Sequence, residues 1–110
     1  MGDRNDIILE FSRQVKKILG KSLTKIILYG SFARGDYTEN SDIDIMILTN
    51  LTNGEIEKIE GRIFDLAFDF QMEHFVDISV VIKNEEQFNY WLGVLPFYNN
   101  VQREGVVING

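Results

Sequence analysis

Residues 30–48 read GSFARGDYTENSDIDIMIL, and this stretch decides both the predicted fold and the predicted chemistry. It begins with two small residues, Gly30 and Ser31, which follow an apolar segment. Two carboxylates, Asp42 and Asp44, come after ten intervening residues. Because side chains alternate along a β-strand, both carboxylates would project from one face and the isoleucines beside them from the other. Metal-assisted transfer from a nucleoside triphosphate needs both parts: donors for the phosphate oxygens and paired acids for divalent cations.

Hydrophobic periodicity on both sides of this stretch predicts alternating helices and strands. The predicted order is a helix over 7–19, a strand over 24–29, a helix over 31–34, a strand over 42–49, a helix over 56–70, a strand over 76–82, helices over 85–92 and 96–104, and a short edge strand over 106–108. This order is typical of a small α/β (α+β) fold, a mixed β-sheet with helices mainly on one face. We expect residues 1–110 to form a single domain.

The composition excludes several classes of protein. The chain has no cysteine, so disulfides, thiolate catalysis and cysteine-based metal sites are excluded. Its formal net charge of −6 weighs against nucleic-acid binding, which usually requires a basic face. The N-terminal residues lack the apolar region of a secretion signal, and no apolar run could span a bilayer. We therefore expect a cytoplasmic protein without membrane contact.

Asp77 is the third candidate acid. In the predicted strand over 76–82, the valines and isoleucines would face the core while Asp77 faces away. If this strand pairs with the one that carries Asp42 and Asp44, the three carboxylates meet on one face of the sheet. Such acids repel one another unless a hard divalent cation lies among them. Oxygen ligands and a triphosphate substrate indicate magnesium or manganese.

Each element also has an ordinary structural interpretation. Most Asp-x-Asp pairs are solvated loop acids, most Gly-Ser pairs are simple turns, and Asp77 alone would be a surface residue. Arg34, which could contact a phosphate, could equally be a surface arginine paired with Asp36. The combination in one stretch, in predicted strand and turn contexts, favours the functional interpretation.

The segments GSFARG at residues 30–35 and SDID at residues 41–44 resemble the signature of the minimal nucleotidyltransferases, a small branch of the DNA polymerase β-like superfamily. The segment at residues 96–105 is similar to the C-terminal helix of that family, so the resemblance covers nearly the whole chain. It implies the polymerase β-like nucleotidyltransferase fold. It also implies that Gly30 and Ser31 bind the triphosphate, that Asp42 and Asp44 bind metal, and that Asp77 completes the catalytic site.

The resemblance also implies a partner. Many small members of the family are antitoxins paired with an all-helical HEPN ribonuclease toxin, and some silence it by transferring AMP from ATP to a toxin tyrosine. The corresponding hypothesis here is a hetero-oligomer with a HEPN-type toxin, with ATP as substrate. Two alternatives stay open: a catalytically silent antitoxin that acts by contact, and a nucleotidyltransferase that modifies a small molecule or an RNA end.

Aromatic residues in the second half of the chain exceed what one apolar stripe per helix requires. We expect most of them in the core and a subset in an exposed patch for a partner; they are Phe64, Phe68, Tyr90, Trp91, Phe97 and Tyr98. His74 is the only histidine, so a structural or surface role is favoured over catalysis.

Overall fold

The computed structural model describes residues 4–38 and 41–108 and confirms the predicted succession of elements. The helices are α1 (Arg4–Leu19), α2 (Ser31–Arg34), α3 (Asn53–His74), α4 (Glu85–Trp91) and α5 (Pro96–Glu104). The strands are β1 (Leu23–Tyr29), β2 (Ile43–Thr49), β3 (Ile78–Asn84) and β4 (Val106–Ile108). No helix of the described residues is long and apolar enough to cross a membrane.

The four strands form one mixed sheet in the order β3-β2-β1-β4. β1 is antiparallel to β2 and to β4, whereas β2 and β3 are parallel. A parallel pair needs a long crossover, and the 22-residue helix α3 provides it. β4 is a short edge strand of three residues, in which Val106 and Val107 are exposed and Ile108 is buried.

One face of the sheet holds the larger core. Ile43, Ile45 and Ile47 of β2 are fully buried on this face, in the same cluster as apolar residues of α1 and α3. Phe11 of α1 and Phe70 of α3 pack edge to face, with ring centroids 5.4 Å apart. The two longest helices therefore cover the face opposite the carboxylates.

The other face of the sheet is covered only in part. Met46 and Leu48 of β2 are buried there, in one cluster with Phe88 of α4 and with Tyr98 and Val101 of α5. This cluster covers the second half of β2, whereas Asp44 and the preceding Asp42 lie at the beginning of the strand.

Some boundaries differ from the prediction. α3 begins at Asn53 because Thr52 caps it, with a reciprocal capping box to Glu55. β3 begins at Ile78, two residues later than predicted, and ends at Asn84, whose side chain also caps α4 by accepting from the amide of Gln87.

The expectation that most of the extra aromatic residues lie in the core is wrong. Tyr98 is buried, whereas the other five are exposed; they are Phe64, Phe68, Tyr90, Trp91 and Phe97. The reason is that α3 already fills its buried face with aliphatic residues and Phe70, and that α4 and α5 are too short to bury two faces. His74 is half-buried and packs against the ring of Phe70, as a structural residue does.

Candidate active site

The turn between β1 and α2 is built on Gly30. This residue has φ 75° and ψ −154°, a conformation that side-chain-bearing residues rarely adopt, and its carbonyl accepts from the amide of Arg34 at 3.1 Å. Ser31 opens α2, and its carbonyl accepts from the amide of Gly35 at 2.9 Å. The first amides of a helix have no acceptor within that helix, so this turn can offer donors to an anion.

Asp44 lies against this turn. It pairs with Tyr29 in the antiparallel register of β1 and β2, one residue before Gly30. A Cβ atom on Gly30 would overlap the Oδ2 atom of Asp44. The carboxylate therefore occupies space that only a glycine leaves free, which brings the predicted phosphate turn and one predicted metal ligand into direct contact.

The electrostatics of Asp44 depend on its burial and on two charged neighbours. Its side chain is half-buried, and this burial raises the pKa of the Asp44 carboxyl above its ordinary value. The negative charge of Asp42 raises the pKa of Asp44 further, whereas the Arg34 guanidinium lowers it in part. Asp42 is exposed and lies one residue before β2. Two oxygen-donor groups of like charge thus lie close together on one face, an arrangement that suits a hard divalent cation.

Asp77 is placed beside these acids by the parallel register. Ile43 pairs with Ile78, so Asp42 and Asp77 stand at the same level, each one residue before its strand. The amide of Ile43 donates to the carbonyl of Asp77 at 2.8 Å, and the Asp77 side chain is exposed. Within residues 4–38 and 41–108, however, no three acidic or histidine side chains converge closely enough to hold a metal ion. The role of Asp77 therefore stays a prediction.

Arg34 is ion-paired in the structure. Its guanidinium contacts Asp36 at 3.2 Å and Glu104 of α5 at 3.0 Å, and all three side chains retain access to solvent. The pair with Asp36 is the structural alternative anticipated from the sequence. The second partner, Glu104, lies 70 residues away and carries no sequence signal that could have identified it.

Tyr29 is a neighbour of the site that the sequence analysis missed. It stands opposite Asp44 on the adjacent strand, and burial together with the Asp44 charge raises the pKa of the Tyr29 phenol to about 12. Its ring also packs edge to face on Phe97, at 5.7 Å between centroids. The available signal was its position directly before Gly30, at the end of a predicted strand.

A cavity of about 480 Å³ lies away from these residues, at the opposite end of β2 and β3. Its lining includes Thr52, Asn84 and Tyr90 and none of the predicted site residues.

Comparison with known proteins decides the family. Residues 8–93 match the family model described as "Nucleotidyltransferase domain". The chain belongs to this family. The resemblance stated from the short motifs is thereby confirmed, and the chain is a nucleotidyltransferase domain.

Two named relatives are similar to this nucleotidyltransferase over most of its length. A protein of Methanocaldococcus jannaschii named "Putative protein adenylyltransferase" is 38% identical over 101 residues, which is 92% of this chain and 93% of that protein. A second protein of that organism with the same designation is 38% identical over 77 residues, covering 70% of this chain and 76% of that protein.

Solved structures share the fold of the nucleotidyltransferase. One described as a "putative minimal nucleotidyltransferase" gives a TM-score of 0.60 at 19% identity and covers 97% of each chain. A toxin–antitoxin crystal structure with AMP-PNP gives a TM-score of 0.57 at 20% identity, over 93% of this chain and 73% of that one. At these identities the likeness shows the fold, and it confirms the predicted α/β class.

Proposed function

We propose that this nucleotidyltransferase transfers AMP from ATP to the hydroxyl of a partner protein, a tyrosine of a HEPN-type toxin, and thereby acts as an antitoxin. The observation that carries the proposal is the half-buried Asp44 carboxylate, held against the Gly30 turn and facing the like charge of Asp42. A carboxylate kept in that position raises the free energy of the unliganded protein, and a cation on a nucleotide would offset the repulsion.

The turn residues bind the nucleotide in this proposal. The amides at the start of α2 and the Ser31 hydroxyl donate to the outer phosphates of ATP, and Gly30 lets the backbone approach them closely. Arg34 adds positive charge near the departing pyrophosphate. Because its present ion pairs with the exposed Asp36 and the half-buried Glu104 are open to solvent, exchanging them for a phosphate costs little free energy.

The acids hold divalent metal. Asp42 and Asp44 supply hard oxygen ligands on one face of the sheet, and burial, followed by the charge of Asp42, raises the pKa of the Asp44 carboxyl. Asp77, aligned with Asp42 by register, is proposed as the third ligand. When bound, magnesium or manganese supplies charge stabilisation for the triphosphate and for the attacking oxygen.

The transfer step is a displacement at phosphorus. The acceptor oxygen forms a bond to the α-phosphorus, and the bond from that phosphorus to the oxygen bridging to the β-phosphate breaks. Pyrophosphate leaves with the bonding electron pair, and the hydroxyl proton passes to the Asp77 carboxylate. The products are the AMP ester of the acceptor and pyrophosphate.

A protein acceptor is favoured by the relatives. Two proteins at 38% identity are named protein adenylyltransferases, and one structural neighbour is a toxin–antitoxin complex that contains AMP-PNP. The acidic chain also suits a protein partner better than RNA. A contact-only antitoxin is the second candidate, because no three acids converge in the described residues and because Arg34 is already paired.

The test uses ATP labelled at the α-phosphate, magnesium, and the protein that co-purifies with the chain from its host. If the chain transfers AMP, label should appear on a tyrosine of that protein, and mass spectrometry should locate it. EDTA should abolish the labelling. A stable complex without label would support the contact-only candidate. Label on an RNA end or a small molecule would contradict the protein acceptor.

A further inference from the structure

The α4–α5 patch consists of Tyr90, Trp91, Val94, Leu95 and Phe97, which are all exposed large hydrophobic side chains. They lie at the end of α4, in the turn, and at the start of α5. Tyr90 is 73% exposed and Val94 64% exposed. The surrounding segment, residues 87–102, contains no charged residue, although a quarter of the whole chain is charged. Clustered exposed apolar side chains of this kind mark interaction surfaces.

The patch is held in a defined shape. The amides of Val94 and Leu95 donate to the carbonyl of Trp91 at 3.0 and 3.1 Å. The amide of Gly93 donates to the Oδ1 atom of Asn99 at 2.6 Å, which fastens the turn to α5. A surface ordered before binding loses less entropy on association than a mobile one.

The Phe97 end of the patch adjoins the candidate active site, whereas Tyr90, at its other end, also lines the cavity at the far end of β2 and β3. The Phe97 ring packs on Tyr29, and Tyr29 stands opposite Asp44 in the sheet. A molecule seated on the Phe97 end of the patch therefore lies next to Tyr29, the residue that pairs with Asp44.

We propose that the α4–α5 patch is the docking surface for the protein that accepts AMP, and that it presents the acceptor hydroxyl to Asp44 and its neighbours. This inference rests on the proposed function. The matching partner surface is apolar at its centre and carries a hydroxyl side chain at the edge facing Asp42 and Asp44. Depletion of charge and enrichment in Tyr, Trp and Phe are the composition of protein–protein interface cores.

Other occupants fit less well. Nucleic acid requires cations along its backbone, and residues 87–102 contain neither lysine nor arginine. A second copy of this chain would bring another net charge of −6 and a second acidic site to the same contact. In a two-fold dimer the patch of one copy contacts the patch of the other. The two acidic sites would then lie near each other and repel.

The test compares Val94→Asp and Tyr90→Glu with Phe68→Glu, a matched control. Phe68 is 59% exposed and lies on α3, which covers the other face of the sheet. Host lysate is first incubated with the wild-type chain, magnesium and ATP labelled at the α-phosphate, and the labelled protein is purified as the acceptor. We expect both patch variants to transfer at least about tenfold less AMP to it, through a raised KM for the acceptor, while Phe68→Glu transfers normally.

Binding of ATP and the thermal melting point are measured for every variant, and both should stay unchanged. Val94→Met, which keeps the patch apolar, should restore transfer. If the patch variants transfer AMP to the acceptor as well as the wild type does, the docking site is overturned and the proposed function stays intact. Labelling of no protein, or only of the chain itself, would overturn the proposed function and the docking site with it.

Discussion

The two faces of β2 differ in what they are built to do. One face presents Ile43, Ile45 and Ile47, which are fully buried under α1 and α3. The other begins with the carboxylates of Asp42 and Asp44 and becomes apolar only at Met46 and Leu48, under α4 and α5. A strand of seven residues therefore anchors the fold with one set of side chains, and on its other face it carries Asp44, with Asp42 one residue before it.

This difference shows where the fold tolerates repulsion between like charges. Asp44 is half-buried beside a like charge, but the aliphatic face behind it is closely packed. Burying large aliphatic side chains contributes roughly 2 kcal/mol each, so the isoleucine face can offset the cost of the acids. The following predictions test this division, from the largest effect to the smallest.

Asp44→Asn should reduce AMP transfer at least about a thousandfold, because a metal ligand supplies several kcal/mol of transition-state stabilisation. The melting point should not fall, since no apolar contact is lost. Transfer is measured with ATP labelled at the α-phosphate, and Asp65→Asn, at an exposed position on α3, is the matched control. If Asp44→Asn transferred AMP at nearly the wild-type rate, Asp44 would have no role in the proposed mechanism.

Ile45→Ala should destabilise the fold by about 2–5 kcal/mol, the usual cost of truncating a fully buried isoleucine. Ile45→Val should cost only about 0.5–1.5 kcal/mol. Urea unfolding followed by circular dichroism gives both values. The folded fraction of Ile45→Ala should still transfer AMP. If well-folded Ile45→Ala no longer transferred AMP, the two faces of β2 would not act independently.

Gly30→Ala should moderately reduce both the stability of the fold and AMP transfer. Alanine rarely adopts the positive φ of position 30, and its methyl group would collide with the Asp44 carboxylate. We therefore expect a stability loss of about 1–3 kcal/mol. Displacement of Asp44 should also lower transfer by about ten- to a hundredfold. Gly61→Ala, in open space on α3, is the control and should be neutral or stabilising. Wild-type behaviour of Gly30→Ala would contradict the described contact.

Arg34→Gln should change stability by less than about 1 kcal/mol, because both of its ion pairs are exposed. If Arg34 moves to the phosphates, KM for ATP should rise by up to about tenfold. Arg13→Gln, which removes another exposed ion pair on α1, should leave KM unchanged. Equal KM values for the two variants would restrict Arg34 to a surface role.

The smallest effect concerns pH in metal-free buffer. Because the pKa of Asp44 is raised in the folded state, its contribution to stability is present below the ordinary value of 3.8 and is lost as pH rises through the folded value. Asp44→Asn should therefore melt higher than wild type at neutral pH, and the difference should disappear in acid. A difference that grows in acid would contradict the sign of the shift.

The sequence predicted the local geometry around the candidate site residues because those signals are local. Strand alternation placed Asp42 and Asp44 on one face, and Gly30 and Gly35 enclosed α2 where expected. The parallel register that aligns Asp77 with Asp42 required the pairing of β2 with β3, which was stated only as a condition.

The misses depend on contacts between distant segments. Glu104 reaches Arg34 across 70 residues, and Phe97 reaches Tyr29 only because α5 folds back over the sheet. The exposed aromatic residues were assigned to the core because periodicity reports an apolar face and says nothing about whether another element covers it. These features become visible only in three dimensions.

The shortness of β4 has a consequence for behaviour at high concentration. Among residues 4–38 and 41–108 no further strand pairs with its outer side, and it has two exposed valines, a composition that would ordinarily allow strands from other molecules to add on. Three residues offer an incoming strand too few backbone hydrogen bonds to hold it. Concentrated solutions should therefore resist fibril growth at this border, and extending the strand would create that hazard.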